Sequence, residues 1–369
     1  LGLKASQVTA IVEHMGGGFG SKFGIGIEGQ AACKLAKELK RPVHLMLDRA
    51  DEFVTAGNRS GSRQVLRAGA SRDGKLVGFV GDVTKLGGVG GGSFPGGRPY
   101  IYGVEKSCVR VRSVYTHTDS SRAMRAPGHP QASFGMESLV DELAYKLGID
   151  PLEFRKRNLK DHVYHRQLDA VAREIGWGEH PNKTAPATLR DGIGVGIGFA
   201  VSTWGGGGGQ GCEVDVRVDR DGSVVVSVGT QDLGTGTRTY VAAIVAEELG
   251  LTLAAVTARI GDSRLASATA SGGSTTTASL APSVKDAASK LRALLADRLA
   301  KTLGVPAERV RFASGRVADE TDLQRSLSWK QACATLGAEG LSTHGVHQAD
   351  LASSGVHGAQ AAKVRVDTL

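Results

Sequence analysis

The sequence predicts an α+β fold in two domains, because strand-like and helix-like segments recur along its 369 residues. Residues 224–228 are β-branched like a strand, whereas residues 134–147 repeat apolar side chains at helical spacing. A basic, proline-containing stretch at residues 161–190 separates two such mixtures and indicates a linker. The predicted boundaries are 1–165 for the first domain, 166–190 for the linker and 191–369 for the second domain.

The chain begins with a predicted strand, a glycine-rich turn and a helix. Residues 7–12 are β-branched and apolar and run into three consecutive glycines at 16–18. A helical pattern follows, with Ile27 and Leu39 on roughly one face. Further strands are predicted at residues 42–46, 64–69, 76–82 and 108–115.

Two helices follow these strands. Residues 134–147 form the first, and Gly148 ends it, as glycine commonly does at a helix C-terminus. Pro151 opens the second, which runs to Asn158, because proline is tolerated in the first turn of a helix.

The sequence of the second half of the chain predicts a similar mixture of helices and strands. A helix is expected over residues 237–249 and another from Val284 onward. Residues 337–362 are low in apolar content and predict a loose surface excursion. Residues 363–367 alternate like a strand that has no evident partner. The remaining strands are predicted at residues 193–201, 212–218 and 224–228.

Composition excludes several classes of protein. The net charge of +8 comes from dispersed basic residues, which favours a solvated basic surface over nucleic-acid binding. No apolar run is long enough to span a membrane, and no signal-peptide pattern follows Leu1. The four cysteines are scattered, which argues against a disulfide framework, an iron–sulfur site or a zinc site in this chain.

Both ends of the sequence suggest a piece of a longer polypeptide. The Leu-Gly pair at residue 1 resembles pairs at residues 249 and 303, where a predicted helix precedes the glycine. The chain therefore starts where a helix is expected to end. The unpartnered final strand gives the same impression at the other end.

Three patches rich in glycine or hydroxyl side chains each precede a predicted helix, at residues 16–20, 229–237 and 271–279. The N-terminus of a helix suits an anionic ligand, because its first N–H groups lack partners. Each patch alone is equally consistent with a tight turn or a helix cap. Three patches across two domains favour one extended anionic ligand at a domain boundary. None of them matches a P-loop or a GxGxxG dinucleotide motif.

Five stretches along nearly the whole chain stand in the order that one family has them. They are MGGGFGSK at 15–22, AMRAPG at 123–128, the segment 137–159, QDLGTG at 231–236 and STTTAS at 274–279. On these stretches the chain resembles the molybdenum-cofactor-binding subunit of the xanthine dehydrogenase and aldehyde oxidoreductase family. The resemblance implies two mixed α/β domains of the molybdopterin-binding subunit type, with the cofactor at their interface.

The resemblance implies a molybdenum–molybdopterin cofactor whose metal has no direct protein ligand and is held through the pterin dithiolene near Phe19 and Arg125. These two residues are the implied catalytic pair, since a fixed cation favours developing negative charge. A structural arginine paired with a carboxylate is the alternative for Arg125. Many members have glutamine where this chain has Thr235. The implied cofactor-binding residues are Gly17, Gly18, Phe19, Gly20, Arg125, Gly234, Thr235, Gly236, Ser274, Thr275, Thr276 and Thr277.

Partners also follow from the resemblance. Family members oxidise a substrate with water as the oxygen source and pass electrons through iron–sulfur centres to flavin. The 2Fe–2S centres are expected on an iron–sulfur subunit and FAD on an FAD-binding subunit, both of them partner chains. The molybdenum cofactor is expected in its cytosine dinucleotide form. Family members also carry a catalytic glutamate in a Gly-Glu-Pro setting, which this sequence lacks. We therefore expect the chain alone to be inactive.

The substrate implied by the resemblance is an aldehyde. Purine hydroxylases of the family have a glutamate directly after the glycine motif, where this chain has Phe23. Their second anchor, an arginine about thirty residues before Arg125, aligns with residues 92–94, which contain no arginine. A pocket with Phe23, Phe94 and Pro127 suits an apolar aldehyde, because buried purine polar groups lack partners there.

Other functions stay open at this point. One is hydroxylation of an N-heterocycle of the isoquinoline or xanthine type. A second is another nucleotide- or phosphate-binding enzyme that uses the same glycine turns, and a third is a non-catalytic fragment that binds only cofactor or partners. The expected compartment is the cytoplasm, with export to the periplasm alongside a partner subunit as the alternative.

Overall fold

Helices and short strands are mixed along the chain. The structure, a computed structural model, describes residues 1–89, 98–180, 183, 189, 191–353 and 355–368. Its α-helices are α1 (Gly26–Leu39), α2 (Arg49–Thr55), α3 (His129–Leu147), α4 (Pro151–Asn158), α5 (His162–Glu174), α6 (Thr237–Glu248), α7 (Thr276–Leu303) and α8 (Trp329–Ala334). Its strands are β1 (Ser62–Ala70), β2 (Leu76–Leu86), β3 (Lys106–Val114), β4 (Ile193–Trp204), β5 (Glu213–Val218), β6 (Val224–Val228), β7 (Val256–Ile260), β8 (Val310–Ala313), β9 (Arg316–Asp319), β10 (Asp322–Ser328), β11 (Leu341–Val346) and β12 (Val356–Asp367).

The chain forms two compact units, each made of two separate stretches of sequence. Unit A contains Leu1–Gly18 and Gly205–Ser354, and unit B contains Phe19–Trp204 and Gly355–Leu369. The predicted domains are continuous in sequence, and these compact units are not. The difference arises because β4 and β12 pair with each other within unit B.

Unit A is built on a four-stranded sheet in the order β11-β5-β6-β7. β5 is antiparallel to both of its neighbours, and β6 is parallel to β7. Every second residue of β5 and β6 is a buried valine, so one face of the sheet meets the core. α6 and α7 cover that face, and a smaller antiparallel sheet, β10-β9-β8, completes the unit.

Unit B contains a three-stranded sheet, β1-β2-β3, and the antiparallel pair β12-β4. α3 packs against β1 and β4, and α5 packs against β12. The buried side chains of these elements and of α4 form one hydrophobic cluster, which includes Phe79, Met136, Phe154 and Phe199.

A buried ion pair holds α3, α4 and β4 together in unit B. The Arg155 side chain is 0% exposed and donates to Glu137 Oε2 at 2.8 Å and to Asp141 Oδ1 at 2.6 Å. It also donates to the Phe199 carbonyl oxygen on β4 at 2.7 Å. Burial raises the pKa of Glu137, and the Arg155 guanidinium opposes that rise. The Tyr102 hydroxyl donates to the other oxygen of Glu137, Oε1, at 2.9 Å. Both carboxylate oxygens of Glu137 are therefore hydrogen-bonded.

The mixed α+β class predicted from the sequence is confirmed, and so are most of its elements. α3 ends at Gly148, which has a left-handed φ of 66°, and α4 begins at Pro151. The Asp150 side chain caps α4 by accepting from the Leu152 N–H. These boundaries are set by residues next to them in sequence.

Several predicted elements are wrong. Residues 42–46 contain no strand. Gln7 ends a short 3₁₀ helix, and residues 8–12 make only an isolated bridge at Ile11. Residues 166–174 of the predicted linker belong to α5. The helix predicted from Val284 onward begins earlier, because α7 starts at Thr276.

The C-terminal part of the chain also differs from its prediction. The segment expected to be a loose excursion contains β11 and the start of β12. The final strand has a partner, since β12 pairs with β4 along its full length, from Val356↔Trp204 to Asp367↔Ile193. Small residues such as Gly358 and Ala361 interrupt the apolar alternation in the first part of this strand, and its partner is distant in sequence.

Among the residues that the structure describes, no helix combines the length and apolar character needed to cross a membrane.

Candidate functional site

The glycine motif divides between the two compact units. Gly18 ends the first stretch of unit A, and Phe19 begins unit B. Residues 19–24 form turns and bends, and α1 begins only at Gly26. The helix predicted after the glycine motif is α1, but this irregular segment separates the glycines from its N-terminus.

In unit A, the chain just before the glycines lies beside the predicted pterin-contacting turn. The Met15 N–H donates to the Asp232 carbonyl oxygen at 3.0 Å. Arg238 Nη2 donates to the Glu13 carbonyl oxygen at 3.2 Å. Gly17 follows with a left-handed φ of 90°. The structure thus brings the first half of the glycine motif and the turn at residues 231–236 together.

One carboxylate organises that turn. Asp232 Oδ1 accepts hydrogen bonds from the N–H groups of Gly234, Thr235 and Gly236 at 2.8, 3.1 and 3.3 Å, and Oδ2 accepts from Arg238 N–H at 3.2 Å. Burial tends to raise the pKa of Asp232, but these hydrogen bonds outweigh it and lower the pKa. The backbone donors expected to contact an anionic ligand here are therefore already bound by Asp232.

The second predicted strip, residues 274–277, leads into the first turn of α7. The Thr275 hydroxyl donates to the Gly272 carbonyl oxygen at 2.8 Å, and the Thr276 hydroxyl donates to Ser271 Oγ at 3.0 Å. The other two hydroxyls of the strip, on Ser274 and Thr277, are exposed. No side chain caps the N-terminus of α7, so its first N–H groups remain available to an anion.

Three buried polar atoms near the 231–236 turn have no hydrogen-bond partner among the described residues: Thr230 Oγ1, Arg238 Nε and the Tyr240 hydroxyl. The Thr230 side chain belongs to a residue only 2% exposed. Burial raises the pKa of Tyr240, and the Thr277 and Thr237 hydroxyls beside it act in the opposite direction. An unpartnered buried polar atom costs free energy that a bound polar group relieves.

These groups fit a cofactor with many hydrogen-bond acceptors. The fit rests on unpartnered donors, Arg238 Nε and two hydroxyls, together with the uncapped first turn of α7. Within the described ranges, no cluster of three His, Cys, Asp or Glu side chains is arranged as metal ligands.

In unit B, the backbone brings the second half of the glycine motif onto the AMRAPG motif. The Arg125 N–H donates to the Phe19 carbonyl oxygen at 2.5 Å, and the guanidinium lies 6.0 Å from the Phe19 ring centroid. Gly20 has a φ of 105°, and a Cβ there would lie 2.8 Å from the Ala123 carbonyl oxygen. Only glycine permits this close approach. Ala126 has a strained φ of 56° in the turn that follows.

The Arg125 guanidinium is available to an anion. Its side chain is exposed, and within the described part of the chain no carboxylate lies within 4.0 Å of it. The Arg125 carbonyl oxygen accepts from Arg59 Nη2 at 2.9 Å, which fixes the backbone. This arrangement disfavours the alternative that Arg125 is a structural arginine paired with a carboxylate.

A cavity of about 640 Å³ lies in unit B, with Gly20 and Ala123 in its wall. Phe23, predicted for the substrate pocket, also lines it and is 63% exposed. Pro127, predicted for the same pocket, is outside this wall. Phe94 lies outside the described residues.

Sequence reasoning missed Asp232, Arg238, Tyr240 and Thr230 as residues of the site. A signal for Asp232 was present, since an aspartate two residues before a glycine commonly hydrogen-bonds the backbone of its own turn. No local signal marks Thr230, Arg238 or Tyr240, because an unpartnered atom is visible only once the surrounding packing is known.

Comparison with known proteins agrees with these motifs. Residues 1–159 and residues 170–369 each match a family model described as a molybdopterin cofactor-binding domain. The aldehyde oxidoreductase molybdenum-binding subunit PaoC of Escherichia coli (strain K12) is 30% identical over 342 residues, which cover 87% of this chain and 45% of that protein. The xanthine dehydrogenase molybdenum-binding subunit of Escherichia coli O157:H7 is 28% identical over 269 residues, 67% of this chain and 36% of that one.

Solved structures share the fold. Quinoline 2-oxidoreductase from Pseudomonas putida 86 superposes with a TM-score of 0.82 at 20% identity, over 98% of this chain and 52% of that chain. This chain therefore spans about half the length of such proteins, or less. The two family matches together cover nearly all of the sequence. On that evidence, the chain belongs to the molybdopterin cofactor-binding domain family.

Proposed function

We propose that the chain holds the cofactor of a molybdenum-dependent oxidoreductase that converts aldehydes to carboxylic acids. The observation that carries this proposal is the backbone hydrogen bond between Arg125 and Phe19, which joins two motifs and leaves an unpaired guanidinium beside them. The similarity to an aldehyde oxidoreductase subunit supports the choice of reaction.

The cofactor-binding residues divide by unit. In unit A we assign Gly17, Gly18, the strip at 274–277 and the turn at 234–236, with Tyr240 added for its unpartnered hydroxyl. Asp232 binds the N–H groups of that turn and fixes its shape, so we propose that the turn contacts the cofactor through its other atoms. In unit B we assign Phe19, Gly20 and Arg125. No protein side chain is assigned to the metal, which the pterin dithiolene holds, and the cytosine dinucleotide form is the one we propose.

The chemistry that the bound molybdenum cofactor supplies is two-electron oxidation of a C–H bond with water as the oxygen source. For an aldehyde the balance is RCHO + H₂O → RCOOH + 2H⁺ + 2e⁻. Arg125 contributes a fixed cation, which stabilises negative charge that develops on substrate oxygen. Phe19 contributes its ring beneath that cation, at 6.0 Å, and restrains its position.

The two electrons require an acceptor outside this chain. We propose an iron–sulfur subunit carrying 2Fe–2S centres and an FAD-binding subunit as partners, in a cytoplasmic complex. The two relatives from Escherichia coli are named as molybdenum-binding subunits, which supports a multi-subunit assembly.

An aldehyde is the preferred substrate because the cavity wall carries Phe23 where a purine hydroxylase has an anchoring glutamate. Phenylalanine offers a purine edge no hydrogen bond, and each buried polar group left unpaired costs about 1–3 kcal/mol. The cavity of about 640 Å³ is of a size that accepts a small organic molecule.

The test compares kcat/KM for benzaldehyde and xanthine in the assembled enzyme. We expect benzaldehyde to be preferred by at least about tenfold, the factor that one unpaired buried polar group produces. A Phe23→Glu variant serves as the comparison, and it should shift the ratio toward xanthine. Preference of the unaltered enzyme for xanthine contradicts the proposal.

A further inference from the structure

The cavity in unit B contains two cationic side chains in different electrostatic settings. Lys22 Nζ lies 3.2 Å from Glu52 Oε1 and 3.6 Å from Glu28 Oε1, so two carboxylates neutralise it. Arg122 also lines the cavity, and within the ranges that the structure describes no carboxylate lies within 4.0 Å of its guanidinium. Its side-chain hydrogen bond is a long one, from Nη1 to the Ser21 carbonyl oxygen at 3.5 Å. The Arg122 guanidinium can therefore still donate strong hydrogen bonds to a ligand.

The backbone holds Arg122 firmly at this position. Its N–H donates to the Asn58 carbonyl oxygen at 3.0 Å, and Asn58 forms a bridge with Ser121. Gly57 lies directly against the side-chain stem, because a Cβ on Gly57 would come within 2.5 Å of Arg122 Cγ. An arginine whose backbone and stem are held in place loses less entropy when it binds a ligand than a freely rotating one does.

Apolar side chains share the cavity with Arg122. Phe23 and Ile27 both line it, and they are 63% and 64% exposed. Gly20 and Ala123, which connect the glycine motif to the AMRAPG motif, are in the same wall. The cavity therefore combines an apolar surface, an unpaired cation and a wall that reaches the residues assigned to the cofactor.

We infer that the substrate is an aldehyde that carries a carboxylate, with Arg122 binding that carboxylate through its forked N–H groups. This inference rests on the proposed aldehyde oxidation. A guanidinium matches the two oxygens of a carboxylate, and charge-assisted hydrogen bonds of this kind are roughly twice as strong as neutral ones. The apolar body of the substrate lies against Phe23 and Ile27.

The experiment measures kcat/KM for 4-formylbenzoate and for benzaldehyde in the assembled enzyme. We expect 4-formylbenzoate to be favoured by about 10- to 100-fold, the range that a hydrogen bond to a charged group provides. Arg122→Met should lower this ratio by at least about tenfold. Arg166→Met, on the exposed surface of α5, removes an equal charge outside the cavity and should leave the ratio unchanged.

A third variant separates charge from position. Gly57→Ala retains Arg122 but strains the backbone at a φ of 78° and forces the Arg122 stem aside, so the ratio should fall toward that of Arg122→Met. A ratio that Arg122→Met leaves within twofold of the unaltered enzyme overturns the inference.

The kinetic experiment gives a different result if the proposed aldehyde oxidation is wrong. If neither aldehyde is oxidised, aldehyde oxidation is refuted, and calorimetric binding of terephthalate to the same assembled enzyme still decides the role of Arg122. Binding that weakens at least about tenfold in Arg122→Met supports the carboxylate site. Equal binding in the two proteins, or no binding to either, refutes it.

Discussion

Replacing Arg125 with methionine is expected to lower kcat/KM for benzaldehyde by about 100-fold or more, the usual cost of one donor that stabilises a developing oxyanion. Arg125 has no carboxylate partner within the described residues, so its charge is available to the substrate. Its backbone N–H remains bonded to the Phe19 carbonyl oxygen in the variant, which preserves the local backbone. Steady-state kinetics of the assembled enzyme measure the effect.

Two further substitutions make this test specific. Arg125→Lys retains the charge but not the planar fork, and it should recover part of the lost rate. Arg166→Met serves again as the control for loss of one positive charge at an exposed position. A rate within threefold of the unaltered enzyme in Arg125→Met, with molybdenum content unchanged, refutes the role assigned to Arg125.

Replacing Arg155 with methionine is expected to lower the free energy of unfolding of unit B by about 3–5 kcal/mol. The substitution removes the cation that pairs with the buried Glu137 carboxylate at 2.8 Å and leaves the Phe199 carbonyl oxygen without its donor. Urea unfolding followed by tryptophan fluorescence measures this change. Trp177 is buried against Phe199 in unit B, and Trp329 of unit A is replaced by Phe in both proteins to remove its signal.

The neighbouring Lys156 gives the matched control on the same helix. Its ion pair with Asp169 is at the surface, so Lys156→Met should cost no more than about 1 kcal/mol. An equal, small loss of stability in both variants contradicts the role that we give to the buried network.

Local signals made two helices of unit B, α3 and α4, predictable. Gly148 and Pro151 mark the end of α3 and the start of α4, and both effects depend on residues adjacent in sequence. The first part of β12, residues 356–362, was not predictable in the same way, because it pairs with β4, more than 150 residues earlier. Its Gly and Ala residues remove the apolar alternation that identifies a strand, whereas residues 363–367 keep that alternation and were predicted as a strand.

The residues of the site also differ in how much of their role the local sequence reveals. Motif residues such as Phe19 and Arg125 could be named from the sequence, and their contact in unit B agrees with a shared role. The donors at residues 234–236 were assigned to a ligand, yet Asp232 binds them. Pattern reasoning identifies groups of the right chemistry, but which of them are already paired depends on the folded geometry.

The molybdenum and pterin content of the purified chain tests the central claim most directly. We predict equimolar molybdenum and pterin in protein from cells that make the cofactor, with one equivalent of CMP released on acid hydrolysis. Asp232→Ala should lose most of both, because three N–H groups of the turn at residues 231–236 and the N–H of Arg238 lose their acceptor. Protein that contains neither molybdenum nor pterin, or an Asp232→Ala variant that retains both in full, contradicts the account.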